Sequence, residues 1–301
     1  MVTQLSFKAP CVELKMFNNL WFQLSDVNCN LKCKHCYLGC QPTTKIKSFL
    51  GMEKIKNSLA DIEGNKLDYI YLTGGEPLLH PDINSIIRLC LKKANVTILS
   101  NGILINDKKA RFLRQIEQEH NNEHELVFKI SLDHYNEQKN DDIRGKGSFK
   151  KAVAAIQHLI NYGFNPIINC VNLWNEDVEE LKEGFLSILN KCGLEPAEFN
   201  VNIIPALKVG EYAKNNEGYK DEEFVTEKTL ADQSTCRFDC AYSRVVTAKG
   251  VYSCPALVND PRGKVGNTLK DSATKTFLET SACFTCNLHN KPMFNNEWAL
   301  K

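Results

Sequence analysis

"NCNLKCKHCYLGC", residues 28–40, puts four cysteines in thirteen positions, and three of them, Cys29, Cys33 and Cys36, are spaced C-x3-C-x2-C. The whole chain carries thirteen cysteines in 301 residues. Disulfides need an oxidising compartment, and the opening stretch "MVTQLSFKAPCVELKMFNNL" lacks the apolar core of a signal peptide. Closely spaced thiols in a reducing compartment point to metal ligation or redox chemistry. Structural zinc takes four ligands, commonly two C-x2-C knuckles. Three compact thiolates instead leave one iron of a four-iron cluster open to a ligand from outside the protein. Cys40 as a fourth ligand gives a closed cluster or a zinc site, and spacing alone does not remove that alternative.

The flanking sequence sets the fold around this loop. Short β-branched runs recur at 21–24, 69–73, 96–100, 128–132, 167–171 and 199–204, with helical spacing between them. Ile55, Leu59 and Ile62 share a face before Gly64, and Val153, Ile156 and Leu159 share one before Gly163. Pro81 is expected to open a helix over 81–93, and a further helix spans 177–192. Alternation of this kind implies a parallel sheet buried on both faces, either doubly wound or curled toward a barrel. Ligands of such sheets collect at the carboxyl ends of the strands, where the cysteine loop falls.

Composition is that of an ordinary globular protein, with 43% apolar and 24% charged residues. A net charge of +1 gives no electrostatic ground for nucleic acid or anionic membrane as a partner. No apolar run reaches the length of a membrane span, so a soluble cytoplasmic protein is expected.

"YLTGGEP", residues 71–77, ends the second strand with Gly74, Gly75, Glu76 and Pro77. Two glycines let backbone approach a ligand, and a carboxylate can accept bonds from a ligand amine. "CNLKCKHC" followed by "TGGEP" resembles the radical S-adenosylmethionine (radical SAM) superfamily, whose C-x3-C-x-Φ-C motif here has His35 at Φ. The resemblance covers about residues 20–205 and implies a partial (β/α)6 TIM-like barrel. It also implies that Cys29, Cys33 and Cys36 hold a [4Fe–4S] cluster whose fourth iron binds SAM. By the same resemblance, SAM is cleaved reductively to a 5′-deoxyadenosyl radical that abstracts hydrogen from a substrate. His35 and Tyr37 beside the last thiol, Ser100 and Asn101 in "LSNG", Ser131 and Asp133 in "KISLD", Arg144 in "DDIRGKG" and Asn169 are the further SAM-contacting candidates. For Ser100, Asn101, Ser131, Asp133, Arg144 and Asn169, a polar residue that merely caps a strand or turn is the competing reading. Cys90, Cys170 and Cys192 fall on apolar faces and are expected in the core.

Beyond residue 205 the sequence divides into a polar linker, 206–232, and a cysteine-rich unit, 233–301, while residues 1–19 form an N-terminal extension. "YSRVVT" and "VYSC" flank Ala-Lys-Gly as a hairpin whose Gly250 takes a positive φ. Cys236, Cys240, Cys254, Cys283 and Cys286 resemble the ligands of a twitch domain, the shorter relative of the SPASM domain, which binds an auxiliary [4Fe–4S] cluster. Cys254, Cys283 and Cys286 are the firm members; Cys236 and Cys240 compete for the remaining position, and zinc on the same four is the alternative. The resemblance implies an enzyme acting on a small-molecule or peptide substrate, with flavodoxin or ferredoxin as electron donor. A maturase of ribosomal peptides is the alternative, and a non-catalytic iron–sulfur or zinc protein is the rival from another class. Fewer than 25 residues precede the first strand, so a peptide substrate is expected to dock without the N-terminal recognition domain of such maturases.

Overall fold

Six parallel strands in consecutive order carry the architecture of the computed structural model. It describes residues 9–42, 49–64, 66–120, 123–230, 235, 238–289 and 292–294. After a short strand β1 (Cys11–Val12) come β2 (Asn19–Gln23), α1 (Met52–Asp61), β3 (Tyr69–Thr73), α2 (Ile83–Leu91), β4 (Asn95–Ser100), α3 (Asp107–Gln118) and β5 (Leu126–Ser131). The chain continues through α4 (Glu137–Arg144), α5 (Ser148–Asn161), β6 (Ile167–Asn172), α6 (Val178–Lys191) and β7 (Val201–Pro205). Strands β2 to β7 pair in chain order, all parallel. A doubly wound sheet would reverse its order midway, so this one is wound in a single sense, as a partial barrel.

Burial explains the composition of the strands. Every residue of β2 and of β3 is buried, because helices cover one face and the barrel interior the other. The helices present apolar stripes to that sheet, for example Ile83, Ile86, Ile87, Cys90 and Leu91 of α2. Gly163 and Gly193 end α5 and α6 at φ of 78° and 86°, with Phe164 N–H reaching Leu159 C=O and Leu194 N–H reaching Leu189 C=O. Helix α2 begins at Ile83 rather than at Pro81. The buried His80 ring accepts the Asp82 N–H at Nδ1 and donates from Nε2 to Leu50 C=O, fixing the turn before the helix. Cys90, Cys170 and Cys192 lie in the core.

The C-terminal cysteines do not belong to a detached unit. After α7 (Glu211–Asn215) and α8 (Glu227–Leu230), β8 (Ser243–Thr247) pairs parallel with β2, and β9 (Gly250–Tyr252) and β10 (Lys264–Gly266) extend the same sheet antiparallel. Nine strands thus form one sheet, and the otherwise bare edge of β2 is covered. The hairpin turns at Gly250, with φ of 138°. Strand β11 (Thr276–Phe277), just before α9 (Ser281–His289), pairs with β1, so the N-terminal extension joins the C-terminal region. Segment 206–232, read from composition as a linker, packs on the cysteine loop: Glu211 N–H donates to Cys36 C=O at 2.9 Å.

Arg244 of β8 ties the added strands together. It is fully buried and donates to the carbonyls of Cys240, Ser243, Ser272 and Thr274 at 2.6–2.8 Å. Burial lowers its pKa to about 10, with the nearby Cys240 thiol opposing the shift. Arg244→Met keeps the volume and strands these carbonyls without a charged donor. A loss of at least about 3 kcal/mol is expected by urea denaturation, since charge-assisted bonds contribute about 1.5–3 kcal/mol each and do not add fully.

Candidate active site

The cysteine loop is held against the end of β3 by a backbone seam. Glu76 N–H donates to Asn28 C=O at 2.8 Å, Ser25 Oγ donates to the same carbonyl at 3.3 Å, and Gly75 N–H donates to Ser25 Oγ at 3.2 Å. A Cβ on Gly75 would lie 1.9 Å from Asn28 O. A Cβ on Gly74, at φ of 139°, would lie 2.8 Å from the Ser25 backbone. The two glycines therefore serve the approach of the loop itself, besides lining the cleft.

Glu76 carries the seam to the next strand. Its carboxylate accepts from Leu78 N–H at 3.1 Å, Ser100 Oγ at 2.9 Å and Asn101 N–H at 2.9 Å. The carboxylate is committed to protein donors and does not line the cleft, in contrast to the ligand-amine acceptor expected from sequence. Pro77 opens a buried 3-10 turn behind it and is likewise off the cleft wall. Asn101 turns its side chain forward, donating to Asn30 Oδ1 at 2.7 Å and approaching Cys29 Sγ at 3.7 Å.

Across the cleft a buried ion-pair network stands behind the second and third cysteines. Arg144 grips Asp133 with two nitrogens, Nε to Oδ2 at 2.7 Å and Nη2 to Oδ1 at 3.0 Å. His35 Nε2 is 3.3 Å from Asp133 Oδ2, and Val171 N–H donates to Asp133 Oδ1 at 3.1 Å. Burial works to raise the Asp133 pKa, but the Arg144 charge, joined by His35 when that ring is protonated, outweighs it and holds the carboxyl below its usual range. Burial lowers the His35 pKa. Asp133 is thus an internal anchor, fully buried, while Arg144 and His35 reach the cleft. Ser131 and Asn169 face each other across β5 and β6 and line the same wall, with Asn169 Oδ1 accepting from Asn202 at 2.6 Å. Tyr37 also lines the cleft, its hydroxyl bonded to Thr73.

Cys29, Cys33 and Cys36 all open on this cleft at the carboxyl ends of the strands. Among the described residues no three His, Cys, Asp or Glu side chains converge on one ion position. Burial raises the Cys29 thiol to about 11 and the Cys33 thiol to about 12. Cys36 is shifted downward, chiefly by a hydrogen bond from the Cys40 thiol and then by the amides of Cys40, Leu38 and Gly39 against the cost of burial. A concavity of successive amides is a setting suited to iron–sulfur ligation. The donor set fits a thiolate-held cluster on this loop, open toward the cleft.

Some cleft residues carried no readable signal in the sequence. Trp21 stacks on Tyr71 at 4.1 Å, and Lys129, 1% exposed, holds its ammonium 5.6 Å from the Tyr71 ring and 3.2 Å from Phe294 C=O. Met293 and Phe294 line this cleft and also a second, apolar pocket bounded by Cys240, Cys254, Cys283 and Cys286. Helix α9 sets Cys283 and Cys286 one turn apart, Cys254 follows β9, and Cys240 lies on a 3-10 turn. Burial raises the pKa of all four thiols. Cys236 lies outside the described residues.

A singly wound partial barrel with three thiols at its mouth defines the class, and comparison with known proteins gives the family. Residues 27–185 match the Radical SAM superfamily, and the chain belongs to it. The chain is 33% identical over 137 residues to the antilisterial bacteriocin subtilosin biosynthesis protein AlbA of Bacillus subtilis, covering 45% of this chain and 29% of that protein. It is 29% identical over 156 residues to the mycofactocin maturase MftC of Mycolicibacterium smegmatis, covering 52% of this chain and 38% of that one. The chain therefore spans under two fifths of either relative's length. Streptococcus suis SuiB bound to S-adenosylmethionine superposes with a TM-score of 0.61 at 15% identity, over 83% of this chain and 63% of SuiB, which shows a shared fold.

Two substitutions test the seam. Gly75→Ala meets a backbone carbonyl that cannot retreat without breaking its bonds, so a loss of about 1–3 kcal/mol in urea and a sharp drop in iron uptake are expected. Gly218→Ala, whose Cβ would meet only Ala213 Cβ at 3.8 Å, should leave both unchanged. Burial raises Glu76 from 4.5 to about 7 against its three donors, so its protonated form favours the folded state. That contribution is full below about pH 4.5 and fades as pH rises through about 7. Glu76→Gln should flatten this slope of at most roughly 3 kcal/mol, read from urea midpoints across that range.

Proposed function

We propose that the chain is a radical SAM enzyme that tailors a peptide substrate, with one auxiliary iron–sulfur cluster near the substrate cleft. Cys29, Cys33 and Cys36 would hold the first [4Fe–4S] cluster, with SAM against Gly74, Gly75, Ser100, Asn101, Ser131, Arg144 and Asn169. Bound there, the pair supplies reductive cleavage of SAM to methionine and a 5′-deoxyadenosyl radical for hydrogen abstraction. The protein's own part is to hold the three thiolates, orient SAM and keep water from the barrel interior. Trp21, Leu99 and Ile204 give the cleft apolar walls, which protects a radical from competing hydrogen donors.

Cys240, Cys254, Cys283 and Cys286 would hold the auxiliary cluster as a closed set of four. The observation that carries this reading is the shared wall: Leu207, Met293 and Phe294 bound both the cleft and the four-thiol pocket. A substrate in the cleft then lies beside an electron acceptor. A peptide substrate is supported by the relatives, a bacteriocin biosynthesis protein and a maturase, and by the SuiB structure with its precursor peptide SuiA. Flavodoxin or ferredoxin is the proposed electron donor and the cytoplasm the proposed compartment; no helix among the described residues is long and apolar enough to cross a membrane.

Anaerobic reconstitution followed by dithionite and SAM tests the proposal. The wild type should hold about eight irons, two four-iron clusters, and release 5′-deoxyadenosine. Replacing Cys29, Cys33 and Cys36 together by Ala should leave about four irons and abolish release. Stoichiometric zinc with negligible iron would refute it.

A further inference from the structure

Asp239 has no part in the ligand set proposed above, yet it is buried, 1% exposed, on the wall of the four-thiol pocket. The turn that carries it explains how. Residues Asp239–Ala241 form a buried 3-10 turn, and the Asp239 carbonyl accepts from Tyr242 N–H at 3.0 Å and from Ser243 Oγ at 2.9 Å. With its backbone tied down, the side chain reaches across to residues 293–294. Its Oδ2 accepts from Met293 N–H at 3.0 Å, and Phe294 N–H lies 3.3 Å from both oxygens.

Among the described residues, Asp239 is the only Asp, Glu, Lys, Arg or His on that pocket wall. Thr276 apart, the rest of the lining is the four cysteines and apolar side chains. Two cations stand nearby but off this wall. Arg244 Nη1 bonds the Cys240 carbonyl at 2.8 Å, and Lys129 meets the Phe294 carbonyl from the cleft side. Holding the 293–294 backbone does not by itself require a charge, since a neutral amide oxygen also accepts an N–H. Amides aimed at a carboxylate favour its ionised form. An ionised carboxylate has no proton to donate, so toward a neighbouring sulfur it acts through its field alone. In an apolar pocket that field is weakly screened.

We infer that Asp239 is a positioning residue for the auxiliary cluster, holding the 293–294 wall in place and, by its negative charge, lowering that cluster's reduction potential. This rests on the proposed cluster ligation by Cys240, Cys254, Cys283 and Cys286. Reduction adds one negative charge to the cluster, and a fixed anion beside it opposes the addition. The oxidised cluster becomes a weaker electron acceptor and the reduced one a stronger donor.

The test is a redox titration of the reconstituted full chain, following by electron paramagnetic resonance the signal that does not change when SAM is added. Asp239→Asn keeps an acceptor for Met293 N–H and should retain about eight irons. Its midpoint should rise by about tenfold in the reduction equilibrium, which is about 59 mV for one electron. Asp239→Glu keeps the charge and should titrate close to the wild type. An unmoved midpoint in Asp239→Asn overturns the inference. So does an equal shift in both variants, which would mark a packing effect, or a loss of about four irons in Asp239→Asn, which would make Asp239 a ligand. A wild type that holds only about four irons would instead overturn the functional proposal itself, which separates the two failures.

Discussion

The bond from Glu76 N–H to Asn28 C=O, made across a glycine with no room for a Cβ, is the constraint on which the site depends. A loop of polar residues and thiols has little burial of its own to hold it. It is ordered by backbone pairing with β3, whose register within the sheet is fixed by full burial on both faces. From β3 the constraint passes through the Glu76 carboxylate to Ser100 and Asn101 at the end of β4, and from Asn101 back to Cys29. A closed circuit of short bonds thus joins the ends of three strands. Burying a carboxyl costs several kcal/mol unless its lone pairs are met, and here three donors meet them. Rigidity at this point is what a site for a reactive intermediate needs, because the reacting atoms have to be held within a fraction of an ångström.

Much of this was legible because the physics is local. The six barrel strands follow from β-branched runs buried on both faces, and α1, α5 and α6 from apolar spacing ended by glycine. Helix α3 escaped notice because its buried face is a thin line of Ala110, Leu113 and Ile116 in an otherwise charged segment, although Asn106 supplied a readable N-cap. Helix α4 buries Asn140 and Arg144, polar residues that no hydrophobic period can reveal. The cysteine and glycine motifs come together at one cleft. What they left out was which way the side chains face: Glu76 and Asp133 turn inward to brace the site, and Gly74 and Gly75 make room for the loop.

Long-range pairing was the part that composition concealed. The boundary near residue 205 marks a change in local character, and the sheet ignores it, because β2 has an edge to cover and β8 supplies a strand of suitable burial. Arg244 then fastens the turn before it to segment 272–274 by four carbonyls rather than by a carboxylate partner, an arrangement invisible to any reading of charge pairs. The N-terminal strand adds a second tie through β11. These contacts make the four-thiol pocket a continuation of the barrel.

The wall between the two cysteine sites shows what that continuity allows. Asp239, buried beside Cys240, accepts the N–H groups of Met293 and Phe294, and Lys129 from the barrel interior donates to the Phe294 carbonyl. One short stretch of backbone is therefore gripped by an anion from the second site and a cation from the first. Each charge is partly balanced through the dipole of the peptide groups between them, so neither site can shift this segment without disturbing the other. A wall held from both sides keeps the two cysteine-lined pockets distinct while leaving them adjacent.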